Sequence, residues 1–238
     1  DNSPFFYRME KGLPKELIIV GIVVAVILLT AGLLFSRWNH TLNQGSEQGT
    51  ALRLLLSFGM IGFGYMLIEI GILQKFIVFW HHQTLALTVV LSVILVSSGF
   101  GSLISARLHT RMQLACVAGL IAAFAMLSAL LLGPVLLHFE NSTHTVKLII
   151  TVVLTAPLFL PMGIPFPFLL RSTTALSSGK ELYPWMIGFN SITTLGGGVL
   201  SMIIAMGLGY ISVTLTGAAC YILIIFMTFR NKATGSQL

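Results

Sequence analysis

Glu69 is a carboxylate set inside the apolar stretch Ser57-Phe-Gly-Met-Ile-Gly-Phe-Gly-Tyr-Met-Leu-Ile-Glu-Ile-Gly-Ile-Leu-Gln-Lys-Phe76. An ionisable group in lipid is costly and marks a partner, a pathway or a site. On a helix Tyr65 lies one turn before it and Gln74 and Lys75 follow within two turns, while Gly62, Gly64 and Gly71 leave room around it. A carboxylate in a low dielectric binds a proton or a positive ligand, so the pattern predicts a proton or cation site. The competing reading pairs Glu69 internally, with Lys75 or with the Asn190 amide.

Two other groups of residues carry chemistry in principle. Pro157, Pro161 and Pro165 recur every four residues and Pro167 follows. Each removes a backbone donor and disturbs the carbonyl four residues earlier, so the segment Pro161-Met-Gly-Ile-Pro-Phe-Pro167 is not expected to be a regular helix. Broken helices in transporters bind substrate or ions with their freed backbone groups, and Pro161 and Pro165 are candidates on that ground. A kink repaired by neighbouring helices is the alternative. His81, His82, His138 and His144 are weak metal candidates. Their spacing matches no zinc signature, and beside Trp80 they suit a membrane-water boundary. No cluster supports nucleophilic or metal-assisted catalysis, and the chain is not expected to be an enzyme on its own.

The elements that must position these residues follow from composition. Of the 238 residues 56% are hydrophobic and 8% charged, and the mean hydropathy is +0.95, far from a soluble norm of about 25% charged. The 13 Lys and Arg against 7 Asp and Glu would point to nucleic acid in a soluble protein. Here the cations punctuate apolar runs, so the expected partner is the lipid bilayer and not nucleic acid. Cys116 and Cys220 fall within apolar runs and read as small hydrophobes.

A hydrocarbon core about 30 Å thick needs roughly 20 apolar helical residues. Seven stretches qualify: 17–36, 51–73, 84–104, 113–137, 146–170, 184–206 and 210–229. The expected fold class is therefore all-α, a polytopic integral membrane bundle of about seven helices with the fifth broken by proline. The expected organisation is a polar segment 1–16, one transmembrane domain 17–229 and a polar tail 230–238. Small residues mark expected contact faces: Ser97, Gly101 and Ser105; Ala115, Gly119 and Ala123; Gly197, Ser201, Ala205 and Gly209. Gly196-Gly197-Gly198 lacks the preceding strand of a phosphate loop. Asn39-His-Thr41 and Asn141-Ser-Thr143 match glycosylation acceptors that seven crossings would place on opposite faces.

Cation counting then orients the chain. Seven crossings set Arg8, Lys11, Lys15, Lys75 and Lys147 against Arg37, Arg53, Arg107, Arg111, Arg171, Lys180, Arg230 and Lys232, which puts the N-terminus outside. If the proline-rich segment re-enters on one face, the balance becomes nine to four with the N-terminus inside.

The stretch Gly62 to Phe76, then Leu85-Ala-Leu-Thr-Val-Val90, Ser98-Gly-Phe-Gly-Ser-Leu103, Met162-Gly-Ile-Pro-Phe-Pro167 and Pro184-Trp-Met-Ile-Gly-Phe-Asn190 resemble the membrane portion of bacterial spermidine-synthase-like fused membrane proteins. Asp1-Asn-Ser-Pro-Phe-Phe-Tyr7 is similar to the junction with that family's soluble domain. The resemblance implies a bacterial inner (cytoplasmic) membrane location and Glu69, Gln74 and Asn190 as the matching polar positions. It also implies that an S-adenosylmethionine-type ligand belongs to a separate upstream domain, with no cofactor in this chain. Two functions are expected in competition. One is a module that handles or transports a small cation, such as a polyamine, or a proton. The other is a non-catalytic anchor or subunit of a larger membrane complex that touches a quinone or haem.

Overall fold

A computed structural model describes residues 15–42, 47–174 and 179–230. Most of the polar segment 1–16 and of the tail 230–238, with Arg8, Lys11 and Lys232, lies outside the described residues. Every element among them is helical: α1 (Lys15–Leu42), α2 (Glu47–Trp80), α3 (Gln83–Ser105), α4 (Arg111–His138), α5 (His144–Met162), α6 (Pro165–Thr174) and α7 (Gly179–Arg230). The protein is an all-α polytopic integral membrane bundle. Its surface carries the apolar load that lipid requires: Leu29, Leu95, Leu103 and Phe226 are each more than 65% exposed, whereas Thr151, Ser201 and Thr214 are fully buried. Such an inside-out distribution is expected where the surroundings are as apolar as leucine.

Six helical stretches are long and apolar enough to cross a membrane, not the seven expected from sequence. The difference lies in α7, where the stretches expected as two helices, 184–206 and 210–229, form one element with no loop between them. Gly209 alone departs from helical geometry, at φ 81° and ψ 170°, a region open to glycine because it lacks Cβ. Fifty-two residues of straight helix would run about 78 Å, more than twice the hydrocarbon thickness, and α7 is not straight. Before Gly209, Phe189 lies against Gly59 and Gly197 against Phe63 and Met66, so this limb runs parallel to α2. After Gly209, Thr214 lies against Gly71 and Cys220 and Tyr221 against Gly64, so the second limb runs back along α2.

The same α2 is the axis of the bundle. Its buried Leu55, Phe58, Ile68, Ile72 and Phe76 join the main core with Val90 and Ile94 of α3, Ile121 and Ala125 of α4, Phe159 of α5 and Tyr221 of α7. α1 packs at the rim, where Gly21 meets Val199 and Ile203 and Gly196 meets Val24 and Leu28. The α3 stripe lies on the contact face as expected, with Ser97, Gly101 and Ser105 buried. In α4 the expected stripe is out of phase: Ala115 is buried but Ala123 is exposed, and the packed face is Ala118, Ala122, Ala125 and Ala129. Small residues occur all round α4, so spacing alone did not choose its face.

The proline-rich segment is broken and not merely kinked. α5 ends at Met162, α6 starts at Pro165, and the two residues between them bond locally, Gly163 N to the Phe159 and Leu160 carbonyls and Ile164 N to the Pro161 carbonyl. Pro165 opens α6, a position where its missing donor costs nothing. The segment continues across the bundle and does not re-enter: Arg171 in α6 reaches the C-terminal end of α3, donating to the carbonyls of Ser105, Ala106 and Leu108.

At the break α3 and α5 touch backbone to backbone. A Cβ on Gly101 would overlap the Leu160 carbonyl, and one on Gly163 would overlap the Ser98 carbonyl. Gly99, by contrast, faces open space. Gly101→Ala should therefore destabilise the protein by about 1–3 kcal/mol, the scale of overpacking. Gly99→Ala should leave the thermal midpoint in detergent unchanged, and equal midpoints for the two variants would contradict this contact.

Candidate functional site

The bundle has two chemically distinct ends. Arg37, Arg53, Arg107, Arg111, Arg171, Lys180 and Arg230 fall at one, where α1, α3, α6 and α7 end and α2, α4 and α7 begin. The four histidines fall at the other, but among the described residues no group of three or more His, Cys, Asp or Glu forms. His81 is paired with Glu140 at 3.2 Å, His144 stacks on Trp80, and His138 sits edge-on to Phe139. His82 is the N-cap of α3, and its side chain makes no cap hydrogen bond. Trp80, the last residue of the α2 span, is buried and donates to Thr151 Oγ1.

The residues expected around Glu69 are split between two faces of α2. Lys75 turns to α4, where its Nζ donates to the Ser128 and Ala129 carbonyls. Gln74 is half-buried and its side chain makes no hydrogen bond among the described residues. Glu69 is half-buried, shares the helix face of Gly62 and Tyr65, and makes no hydrogen bond or ion pair among the described residues. Neither internal partner considered from sequence reaches it: Lys75 is bonded to α4, and Asn190 packs against Gly62, about two turns away. The Tyr65 phenol interacts electrostatically with Glu69 and has Ser98 as its hydroxyl neighbour.

Tyr65 opens onto a lateral cleft of about 460 Å³. Its floor is α2, its far wall is the α5–α6 break, and its mouth lies between α3 and the first limb of α7. The polar groups on it are Tyr65, Ser98, Ser102, Asn190 and Thr194. Thr194 donates to the Asn190 backbone carbonyl, while the Asn190 Oδ1 atom is buried with no hydrogen-bond partner among the described residues. Pro167 lines the cleft. Pro161 and Pro165 are buried behind it, so they shape the break without facing the cavity.

Chemically, then, this face of the bundle is rich in unpartnered acceptors: the Glu69 carboxylate and the Asn190 carbonyl oxygen, with the fully buried Tyr221 hydroxyl also unpaired beside Tyr65. Buried polar groups without partners are rare, and each calls for an explanation. An acceptor-rich site suits a ligand that brings donors. Sequence reasoning singled out Glu69, Tyr65 and Asn190 but did not raise Ser98, Ser102, Thr194 or Tyr221 as site residues. A lone tyrosine in the otherwise apolar run from Gly217 to Phe226 was the available signal for the last.

Comparison of the chain with family models, curated proteins and solved structures finds no match.

Tyr221→Phe tests whether that hydroxyl is idle in the resting protein. Removing an unpaired buried hydroxyl should be neutral or raise stability by up to about 1 kcal/mol. A drop in the detergent unfolding midpoint instead would show that the hydroxyl has a partner, such as an internal water.

Proposed function

We propose that this chain is an integral membrane module that handles or transports a small cationic substrate, of which a polyamine is the best chemical fit, or a proton. The observation that carries the reading is the Glu69 carboxylate. It lies within a spanning helix, has no counter-ion among the described residues, and shares a helix face with the cleft-lining Tyr65. Ammonium groups would supply donors to the Glu69 carboxylate and to Asn190 Oδ1, the acceptors that lack them among the described residues. The two-residue break at Gly163–Ile164 puts irregular backbone beside the cleft, the arrangement broken helices use in transporters.

The resemblance of Gly62 to Phe76 and of the later motifs to the membrane portion of spermidine-synthase-like proteins supports reading the chain as a membrane module with Glu69, Gln74 and Asn190 as its matching polar positions. It also supports placement in a bacterial inner membrane and association with an upstream soluble domain, which would hold any S-adenosylmethionine-type ligand. By the positive-inside rule the arginine end faces the cytoplasm.

A second reading, a non-catalytic anchor or subunit of a larger membrane complex, is favoured by one observation. The cleft opens sideways between α3 and α7, where a partner helix could close it.

Glu69→Gln separates the two readings. In proteoliposomes loaded with a pH-sensitive dye, uptake of labelled spermidine or putrescine and the accompanying proton movement should fall at least about tenfold, the scale of one lost charge-assisted hydrogen bond, while the monodisperse elution of the purified protein is unchanged. Wild-type vesicles that move neither polyamine nor proton would remove the transport reading. Altered assembly with no transport defect would favour the subunit.

A further inference from the structure

A second, smaller cavity lies at the arginine end, apart from the cleft. About 70 Å³ of space is bounded by Thr50, Arg53 and Ser57 of α2, Arg111 of α4, Ser172 of α6 and Thr228 of α7, with an apolar wall that includes Phe168 and Met227. No carboxylate is among the described residues that line it. The hydroxyls of Ser57, Ser172 and Thr228 donate back to their own helices, which leaves the Arg111 guanidinium as the strong donor facing the space.

Arg111 is the informative member. It is half-buried, and among the described residues it makes no hydrogen bond or ion pair, although a guanidinium carries five donors. Arg171, at the same end, has the opposite character: its donors are taken up by the carbonyls of Ser105, Ala106 and Leu108. Arg111 also begins α4, whose Thr110–Gln113 capping box satisfies part of the first turn. The helix start therefore adds positive potential to a cavity that the arginines define. The depth is that of a headgroup region, since Thr50, Arg111, Ser172 and Thr228 lie at or next to the ends of the apolar spans Gly49–Trp80, Arg111–His138, His144–Thr174 and Glu181–Thr228.

We propose that this cavity binds a phosphate group, carried by an anionic phospholipid headgroup of the adjacent leaflet or by free phosphate. Guanidinium matches phosphate oxygens in pairs, and basic pockets between membrane helices hold anionic headgroups in this way. The apolar wall formed by Phe168 and Met227 accommodates the start of an acyl chain, which favours the lipid as the source.

The full-length chain is placed in phosphatidylcholine nanodiscs, in nanodiscs that also contain phosphatidylglycerol, and in phosphatidylcholine nanodiscs with inorganic phosphate in the buffer. Thermal unfolding is measured in each, and lipid retained after transfer to detergent is counted by native mass spectrometry. Phosphatidylglycerol should raise the unfolding temperature and remain bound. Arg111→Gln should weaken retention at least about tenfold, as expected for a lost charge-assisted hydrogen bond. Arg107→Gln, exposed at the same end, should weaken it no more than about fivefold, the effect of a cation near the bilayer surface. Stabilisation by inorganic phosphate equal to that by phosphatidylglycerol, and lost in Arg111→Gln, assigns the site to the free anion. The proposal is overturned if Arg107→Gln weakens retention as much as Arg111→Gln. It is also overturned if the wild-type protein neither distinguishes phosphatidylglycerol from phosphatidylcholine nor responds to phosphate, an outcome that needs no variant to fold.

Discussion

Every peptide group inside lipid needs a partner within the protein, and this requirement explains where the polar side chains of the bundle go. Helix ends and breaks are the places where carbonyls lose their intrahelical donors. At three such or similar places a cation supplies the bond. Lys147, buried, donates to the Phe79 carbonyl in the last turn of α2 and lies over the Phe79 ring. Arg171 gathers the carbonyls at the end of α3. Lys75 serves the Ser128 and Ala129 carbonyls shortly before Pro134, a residue that disturbs the turn preceding it. Among the described residues none of these cations is balanced by a carboxylate, which makes them structural ties between helices and not ion pairs.

Against that background Glu69 and Arg111 are exceptional. Both are half-buried, and neither has found a hydrogen-bonding group among the described residues. They sit far apart: Glu69 lies within α2 on the helix face of the cleft-lining Tyr65, and Arg111 lies at the arginine end. The contrast in sign matters. Among the described residues the Glu69 carboxylate is an acceptor without a partner and the Arg111 guanidinium a donor without one, so the first suits a cation and the second an anion.

The break in the fifth spanning segment links packing to these sites. Prolines weaken the helix, but the bend is held because Gly101 and Gly163 let α3 and α5 approach backbone to backbone. That contact fixes one wall of the cleft and carries α6 on across the bundle, so that Arg171 meets α3 and Phe168 reaches the second cavity. Flexing at the break would alter both, since Pro167 lines the cleft and Ser172 the cavity at the arginine end.

Hydropathy and length were enough to read helices, their rough bounds and a lipid environment from the chain, because a span must be about 20 apolar residues whatever it packs against. The isolation of Glu69 in an apolar run was equally legible, and so was the disorder that four prolines impose on a helix. Which face of each helix turns inward was not. In a membrane protein both faces are apolar, so the α4 stripe was misplaced by phase and Lys75 could be imagined beside Glu69 when it in fact turns to α4. The fusion of the last two expected helices into one element reversing at Gly209 also escaped the sequence, since a lone glycine among several carries no sign of its φ. Composition and span length are properties of the chain alone. The unpaired state of Glu69 and Arg111 is a property of what other helices bring to them, and only the packed bundle decided it.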